Sequence, residues 1–559
     1  MRTPTARQRP KQAQNALFPA PVAGWIANRA RGMASSAQAK LPPGATILEN
    51  WFPTTTGARL RRGTVRHATL GVGNQPVLSL FSYNVGAQQQ LFAATRSAIW
   101  DVTTVPSTYG YVVGDDGEII GDDEEEIGVT STSGLEVLED TLGGRWVVVQ
   151  TTNSDGGTFL RGVNGVDVPF VYDGASFGTT PALTFDVGDV TEPQDLSYVW
   201  AYKRRLFFIK KDSLDAYYLP VNAIGGELAL LPLGAVFSLG GKLLFGASWS
   251  LGTSDQGGLS AQCVFVTSEG EVAVYQGSNP DDPADWRLVG VYRIGKPLGA
   301  QAHISAGGDI VIATTLGLLP LSEAVQREYA ALSPAAVSAP IEDAWREAVS
   351  RRSGEEWAVT TWPDGGMVLV APPMPAVESP QVFVANANTG AWCKFTGWNV
   401  RCMTVFRNQL YFGSDAGAVM RGWTGGSDEG EVYTGRYLGL FDDLSSPAAR
   451  KVVGLARATL TASVDVIPRV SVAFDFHERL PVAPDAATAP GGDVWDAAIW
   501  DQSVWDGDTD SAVSSRWVSV GGSGARLAPS VQVSSGSAVP LDAELLSVEL
   551  TFKSADIVT

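Results

Sequence analysis

The sequence predicts an all-β protein: hairpins closed in a ring as a β-propeller, with a β-rich C-terminal part and a small helical insertion. Three observations carry this. Short apolar or aromatic runs alternate with Asn/Asp/Gly turns along most of the chain, which is the signature of antiparallel hairpins. The units recur in tandem with a common closing shape, as Ala98-Ile99-Trp100-Asp101 and Ala418-Val419-Met420-Arg421 show. Gly 61, Pro 32 and Trp 17 give a turn-rich composition with large aromatic anchors.

The 559 residues exceed one core, so several domains are expected. We divide the chain into an arm with platform strands (1–65), a propeller (66–430) with helices near 322–350, and a C-terminal β-sandwich or platform (431–559). The three cysteines, Cys263, Cys393 and Cys402, form no CxxC pair and no disulfide framework, which suits folding in a reducing cytosol. No apolar run is long enough to span a membrane, and the basic N-terminus has no apolar segment behind it.

Net charge is −19, unevenly placed. Residues 1–70 hold eleven Lys/Arg and one acid, Glu49, so the remainder holds 29 bases and 58 acids. A positive arm on a negative body suggests two different partners. Residues 1–14 read either as a flexible tail or as an arm that orders on a neighbouring subunit.

In chain order, Pro42-Pro43-Gly44 is a turn and Ala45 to Phe52 a strand. Ala58-Arg59-Leu60-Arg61-Arg62-Gly63 alternates. Candidate propeller units follow at Val77–Asp101, Arg145–Phe177, Val199–Val221, Gln262–Tyr275, His303–Leu321 and Glu356–Val370. Two more fall in Gln381–Gly425, and six to eight units fit. A helix is expected from an N-cap at Ser322 to about Leu332. A second spans Pro340–Val349, with Ile341, Ala344, Trp345, Ala348 and Val349 on one face.

The opening NALF.APVAGWIAN…LPPGATILENWFPTTTGARLRRG and the segment NANTGAWCKFTGW…RNQLYFGSDAGAVMRGWTG resemble the tail-nozzle class of short-tailed bacteriophage proteins, also called tail tubular protein B. The likeness covers roughly residues 15–65 and 381–430. It implies a structural, non-enzymatic virion protein made in the bacterial host cytoplasm and placed in the virion tail. It further implies a β-rich platform under the propeller, formed by the N- and C-terminal parts together, and a homohexameric ring below a tail adaptor, with contacts to tail fibres or spikes. The ring would close the tail and pass viral double-stranded DNA through its lumen without specific binding. Arg59, Arg61 and Arg62 are then candidates for adaptor contacts, and Trp51, Phe52, Trp392 and Trp398 for blade closure.

Asp115, Asp116, Glu118, Asp122, Asp123, Glu124, Glu125 and Glu126 put eight carboxylates in twelve residues with no base. They read as a solvated acidic loop, as a lumen wall that repels phosphate, or as a cation site lacking EF-hand spacing. Trp495-Asp496, Trp500-Asp501 and Trp505-Asp506 recur every five residues, as pocketed rings, interface anchors or sugar platforms. His67, His303 and His477 are scattered, no nucleophile or metalloprotease motif is present, and no cofactor or metal is expected. Asn153–Phe159 (NSDGGTF) is a hairpin turn with a faint likeness to the Asp-box turn of sialidase propellers. The alternative function is a carbohydrate-binding or glycan-cleaving propeller.

Overall fold

The computed structural model describes residues 13–28, 43–71, 75–104, 107–110, 129–132, 134–187, 189–250, 261–352, 357–373, 379–464, 466–478, 480–487 and 512–557. Five strands open the chain: β1 (Gln14–Pro19), β2 (Ala45–Glu49), β3 (Trp51–Pro53), β4 (Ala58–Leu60) and β5 (Thr64–Thr69). The chain then builds a propeller. Six blades are separate sheets of three to five strands, and a further four-stranded unit, Ala358–Thr396, runs on into the platform.

The hairpins follow from turn chemistry. Arg407 and Asn408 both adopt positive φ (47° and 61°), the twist that lets Val405–Phe406 pair directly with Gln409–Leu410. Asn153 accepts through its Oδ1 from the backbone N–H groups of Asp155 and Gly157, which explains the NSDGGTF turn as structure. Val199–Val221 holds two turns, one at Lys203-Arg204 (φ 45° and 62°) and one at Asp212–Asp215, so the run is three strands.

The first strand of every unit packs on the unit that follows, and Cys402–Phe406 packs on Ser79–Val85, so the circle closes. Closure is stitched by the N-terminus. β5 is the outer strand of the last blade, with Ala68 opposite Val419 and Thr69 opposite Ala418. The two hairpins of Gln381–Gly425 belong to different sheets. Gln381–Thr396 completes the unit begun at Ala358, so Glu356–Val370 is half of that unit and not a separate one.

The platform is a two-layer sandwich. In one layer β4 and β1 pair with the long strand Glu544–Ile557, which pairs with Ala449–Ala462. In the other, β2 pairs with Tyr433–Gly439, followed by Leu527–Ser535 and Arg469–Phe474. Val453, Ala456 and Leu460 of one layer share one continuous core with Val470, Val531 and Val533 of the other, and a bulge between Val453 and Leu455 keeps both Val453 and Ala456 inward although they are three residues apart. Trp51 and Phe52, expected in the blades, belong to this core.

The insertion is helical but shorter than expected. The first helix is Leu321–Gln326, and Ser322 is not its cap, because its Oγ donates to the Asp309 carboxylate at 2.6 Å. The second, Glu342–Arg351, buries Trp345 and Ala348, with Ile341 just before it. They pack on Phe383 and Trp392. Among the described residues no helix is long and apolar enough to cross a membrane.

Candidate functional site

The ring and the platform meet where β2 lies parallel to the strand Trp392–Thr396, with Glu49 opposite Lys394. That single pairing makes one eight-stranded sheet from a propeller unit and half of the sandwich. Just upstream, Gly24 (φ +75°) lies so close to Trp392 that an added Cβ would sit 2.5 Å from its carbonyl oxygen. The N–H of Trp25 donates to that carbonyl at 2.6 Å.

After β2 the chain must turn sharply into β3. Asn50 takes the bend at φ 59°, a conformation asparagine tolerates. Its Nδ2 donates to Thr396 Oγ1 and to the Thr434 carbonyl, both at 2.8 Å. Its Oδ1 accepts from Arg61 Nε at 2.8 Å and from the Thr396 N–H at 2.9 Å.

Arg61 is 1% exposed, and all five of its N–H donors have acceptors. Besides Asn50 these are the Arg62 and Thr396 carbonyls and both oxygens of Asp428, at 2.9 and 2.5 Å. The guanidinium lies 4.0 Å from the centre of the Tyr433 ring and 5.3 Å from that of Trp398. Tyr433 donates its hydroxyl to the Arg61 carbonyl, and burial pushes its pKa up to about 12.

The three arginines expected to meet an adaptor therefore separate. Arg61 is corrected to an internal joint residue, because a guanidinium with every donor engaged under neighbouring rings has nothing left for an outside partner. Arg62 is half-exposed and paired through two contacts of 3.0 Å with Asp542. Arg59 is exposed on β4. The carboxylates Asp115, Asp116, Glu118, Asp122, Asp123, Glu124, Glu125 and Glu126, and the three Trp-Asp pairs, lie outside the described residues.

Two clefts flank the joint. One, of about 850 Å³, opens between Trp25–Asn28, β2, the helix Glu342–Arg351 and the turn around Phe476. The other, of about 790 Å³, opens between the last two propeller units and the segment 428–436. The pair Lys394 Nζ–Glu49 Oε1 (2.9 Å) stands between them, and Lys394 lies 5.6 Å over the Trp25 ring.

His67, His303 and the three cysteines are wholly or partly buried, whereas His477 is exposed at the first cleft. Burial lowers the pKa of His67, whose Nε2 meets the Val102 carbonyl at 2.7 Å. His303 stacks on Phe245 at 4.0 Å, and burial lowers its pKa to about 4. Cys263, Cys393 and Cys402 are buried free thiols. The first strands of the seven propeller units hold no Asp, Glu, Lys or Arg.

No family model matches the sequence, and no curated protein does. Similar solved structures include the extracellular domain of a hybrid two-component system protein from B. thetaiotaomicron, at 12% identity and a TM-score of 0.34. That likeness covers 63% of this chain and 40% of that one. The BBS1N domain in complex with ARL6DN is 11% identical over 66% of this chain and 97% of its own, with a TM-score of 0.38. The β-propeller domain of Cps50 (Swd1) from Myceliophteria thermophila is 9% identical over 66% of this chain and 99% of its own, with a TM-score of 0.34.

Proposed function

We propose that this chain is a structural subunit of a short phage tail, of the nozzle class. It would assemble as a homohexamer beneath an adaptor to hold and then release packaged DNA. One observation carries the reading. The two stretches with the nozzle resemblance, about 330 residues apart in sequence, form the joint together. Trp25 bonds Trp392, Asn50 bonds Thr396, and Arg61 bonds Asp428. The two stretches that carry the resemblance are thus parts of one three-dimensional feature, which supports reading them together.

Electrostatics agree with this role. DNA held by many Lys/Arg contacts binds tightly through counterion release. A chain with 59 acids against 40 bases suits a conduit better than a DNA clamp. The test is cryo-electron microscopy of purified virions together with the isolated chain and its adaptor. A six-fold density at the tail tip that fits this ring and platform is the expected result. Absence of the chain from particles, or a monomer that cleaves labelled oligosaccharides, overturns the proposal.

A further inference from the structure

We infer that the 850 Å³ cleft beside the joint receives the basic segment of residues 1–12 from a second copy of this chain. The inference rests on the self-association in the proposed function and names the contact that would carry it.

The cleft has an apolar floor that includes Trp25 and Ile47, closed on one side by Phe441 and Phe476, whose rings lie 5.0 Å apart. Its rim is acidic. Asp343 and Glu347 lie one helical turn apart on Glu342–Arg351, while Glu49 and Glu478 stand on the platform side. The one lysine in the lining, Lys394, is paired with Glu49 at 2.9 Å and Arg436 reaches the same carboxylate at 3.6 Å, so the charge open to a ligand is that of Asp343, Glu347 and Glu478. Arg351 and Arg346 reach Glu347 and Asp343 at 2.7 and 3.7 Å, but both arginines are more than half exposed, so these pairs are weak and exchangeable. An apolar trough with an anionic rim complements an extended cationic peptide.

Residues 1–12 have that chemistry: Arg2, Arg7, Arg9 and Lys11, no acid, and Pro4 and Pro10, which favour extended backbone. The self-association of the proposed function supplies the second copy. β1 runs from Gln14, opposite Phe552, to Pro19, opposite Ser547, and the chain then enters its own cleft at Trp25. Gln14 is about 17 Å from Pro19 along the strand at its usual rise, so an arm returning to its own cleft would have to double back on this strand. Twelve residues span up to ~40 Å when extended, enough to reach a neighbour instead.

The test is a titration of a fluorescent peptide of residues 1–14 into a chain lacking residues 1–12, by anisotropy at 50 mM NaCl. Saturable binding is expected. It should weaken at least about tenfold at 500 mM NaCl, as screening of rim charges requires. It should also weaken at least about tenfold in the double variant Asp343→Asn with Glu347→Gln. Those residues are exposed on the helix, so circular dichroism and thermal melting should match the parent. A scrambled peptide of the same composition should bind several-fold less well. No saturable binding, equal binding of the scrambled peptide, or an unaffected double variant overturns the inference. Peptide binding without the chain in virions would instead sink the phage-tail reading and leave the docking site standing. The chain in six-fold particles without peptide binding would do the reverse.

Discussion

Arg61 and Asp428 face each other across the joint as a two-contact ion pair, with the arginine side chain fully enclosed and the aspartate still 17% open. They lie 367 residues apart in sequence, and each belongs to a different stretch of the nozzle resemblance. Replacing Asp428 by Ala leaves a buried cation without its counter-charge. The expected cost is about 3–5 kcal/mol. Urea unfolding followed by tryptophan fluorescence, with Trp51 and Trp398 reporting on the joint, checks it. Arg62→Ala, which breaks the half-exposed pair with Asp542, should cost less than about 1 kcal/mol.

Ring closure depends on β5, so its centre is a second place to test. Ala68 is fully buried against Val419 in the last blade. Ala68→Asp puts an unpaired carboxylate into that seam, where no base of the blade is buried beside it. A loss of at least about 3 kcal/mol is expected. Limited proteolysis should then cut first between residues 64 and 101, as the outer strand lifts off. Cleavage that starts elsewhere, with 64–101 protected, would argue against closure by this strand.

The fold should weaken in mild acid. His303 is held neutral by burial with a pKa of about 4, and burial also lowers that of His67. An unfolded histidine titrates near 6.5. The folded values are depressed, so their contribution is fully present above about pH 6.5 and is lost as the pH falls toward 4. For His303 the difference amounts to at most roughly 3 kcal/mol. His303→Phe keeps a ring against Phe245 and removes the titration, so it should flatten the stability profile in that window. A profile as steep as that of the parent would contradict the assignment.

The three thiols should be inert in the native protein. Burial pushes all of them up, Cys402 to about 12, and a thiol without thiolate character is a poor nucleophile. At pH 8 iodoacetamide should leave the folded chain unlabelled over an hour. It should add three carbamidomethyl groups per chain in guanidinium, as read by intact mass. Any label on the folded chain would show an open cysteine.

Much of the ring was legible because its hairpins announce themselves locally. Ser414-Asp415-Ala416-Gly417 and Arg407-Asn408 are turns by composition, and the apolar runs beside them became strands. The turn at Lys203-Arg204 was not legible, because neither residue marks the left-handed conformation that both adopt. Blade membership was harder still. Nothing local tells Gln381–Thr396 to join Ala358–Ala371 rather than the hairpin after it, since register across sheets is set by packing between distant runs.

At the joint, the alternation in Ala58 to Gly63 placed Arg59 and Arg61 on one face. β4 ends at Leu60, the period of two ends with it, and Arg61 swings inward while Arg59 stays out. Asn50 stands directly before Trp51-Phe52 in the run Ala45 to Phe52. Its partners, Thr396 and Thr434, were not legible, since no sequence pattern links positions more than 340 residues apart.

The sheet shared by ring and sandwich has a mechanical consequence. A linker would let the two bodies swing, whereas the pairing of Glu49 with Lys394, with the Asn50 N–H on the Lys394 carbonyl and the Trp25 N–H on the Trp392 carbonyl, ties them backbone to backbone. A twist or pull applied to the sandwich reaches the blades as through a welded bracket. Loosening that weld at Gly24 or Asn50 should uncouple the two bodies long before either one melts.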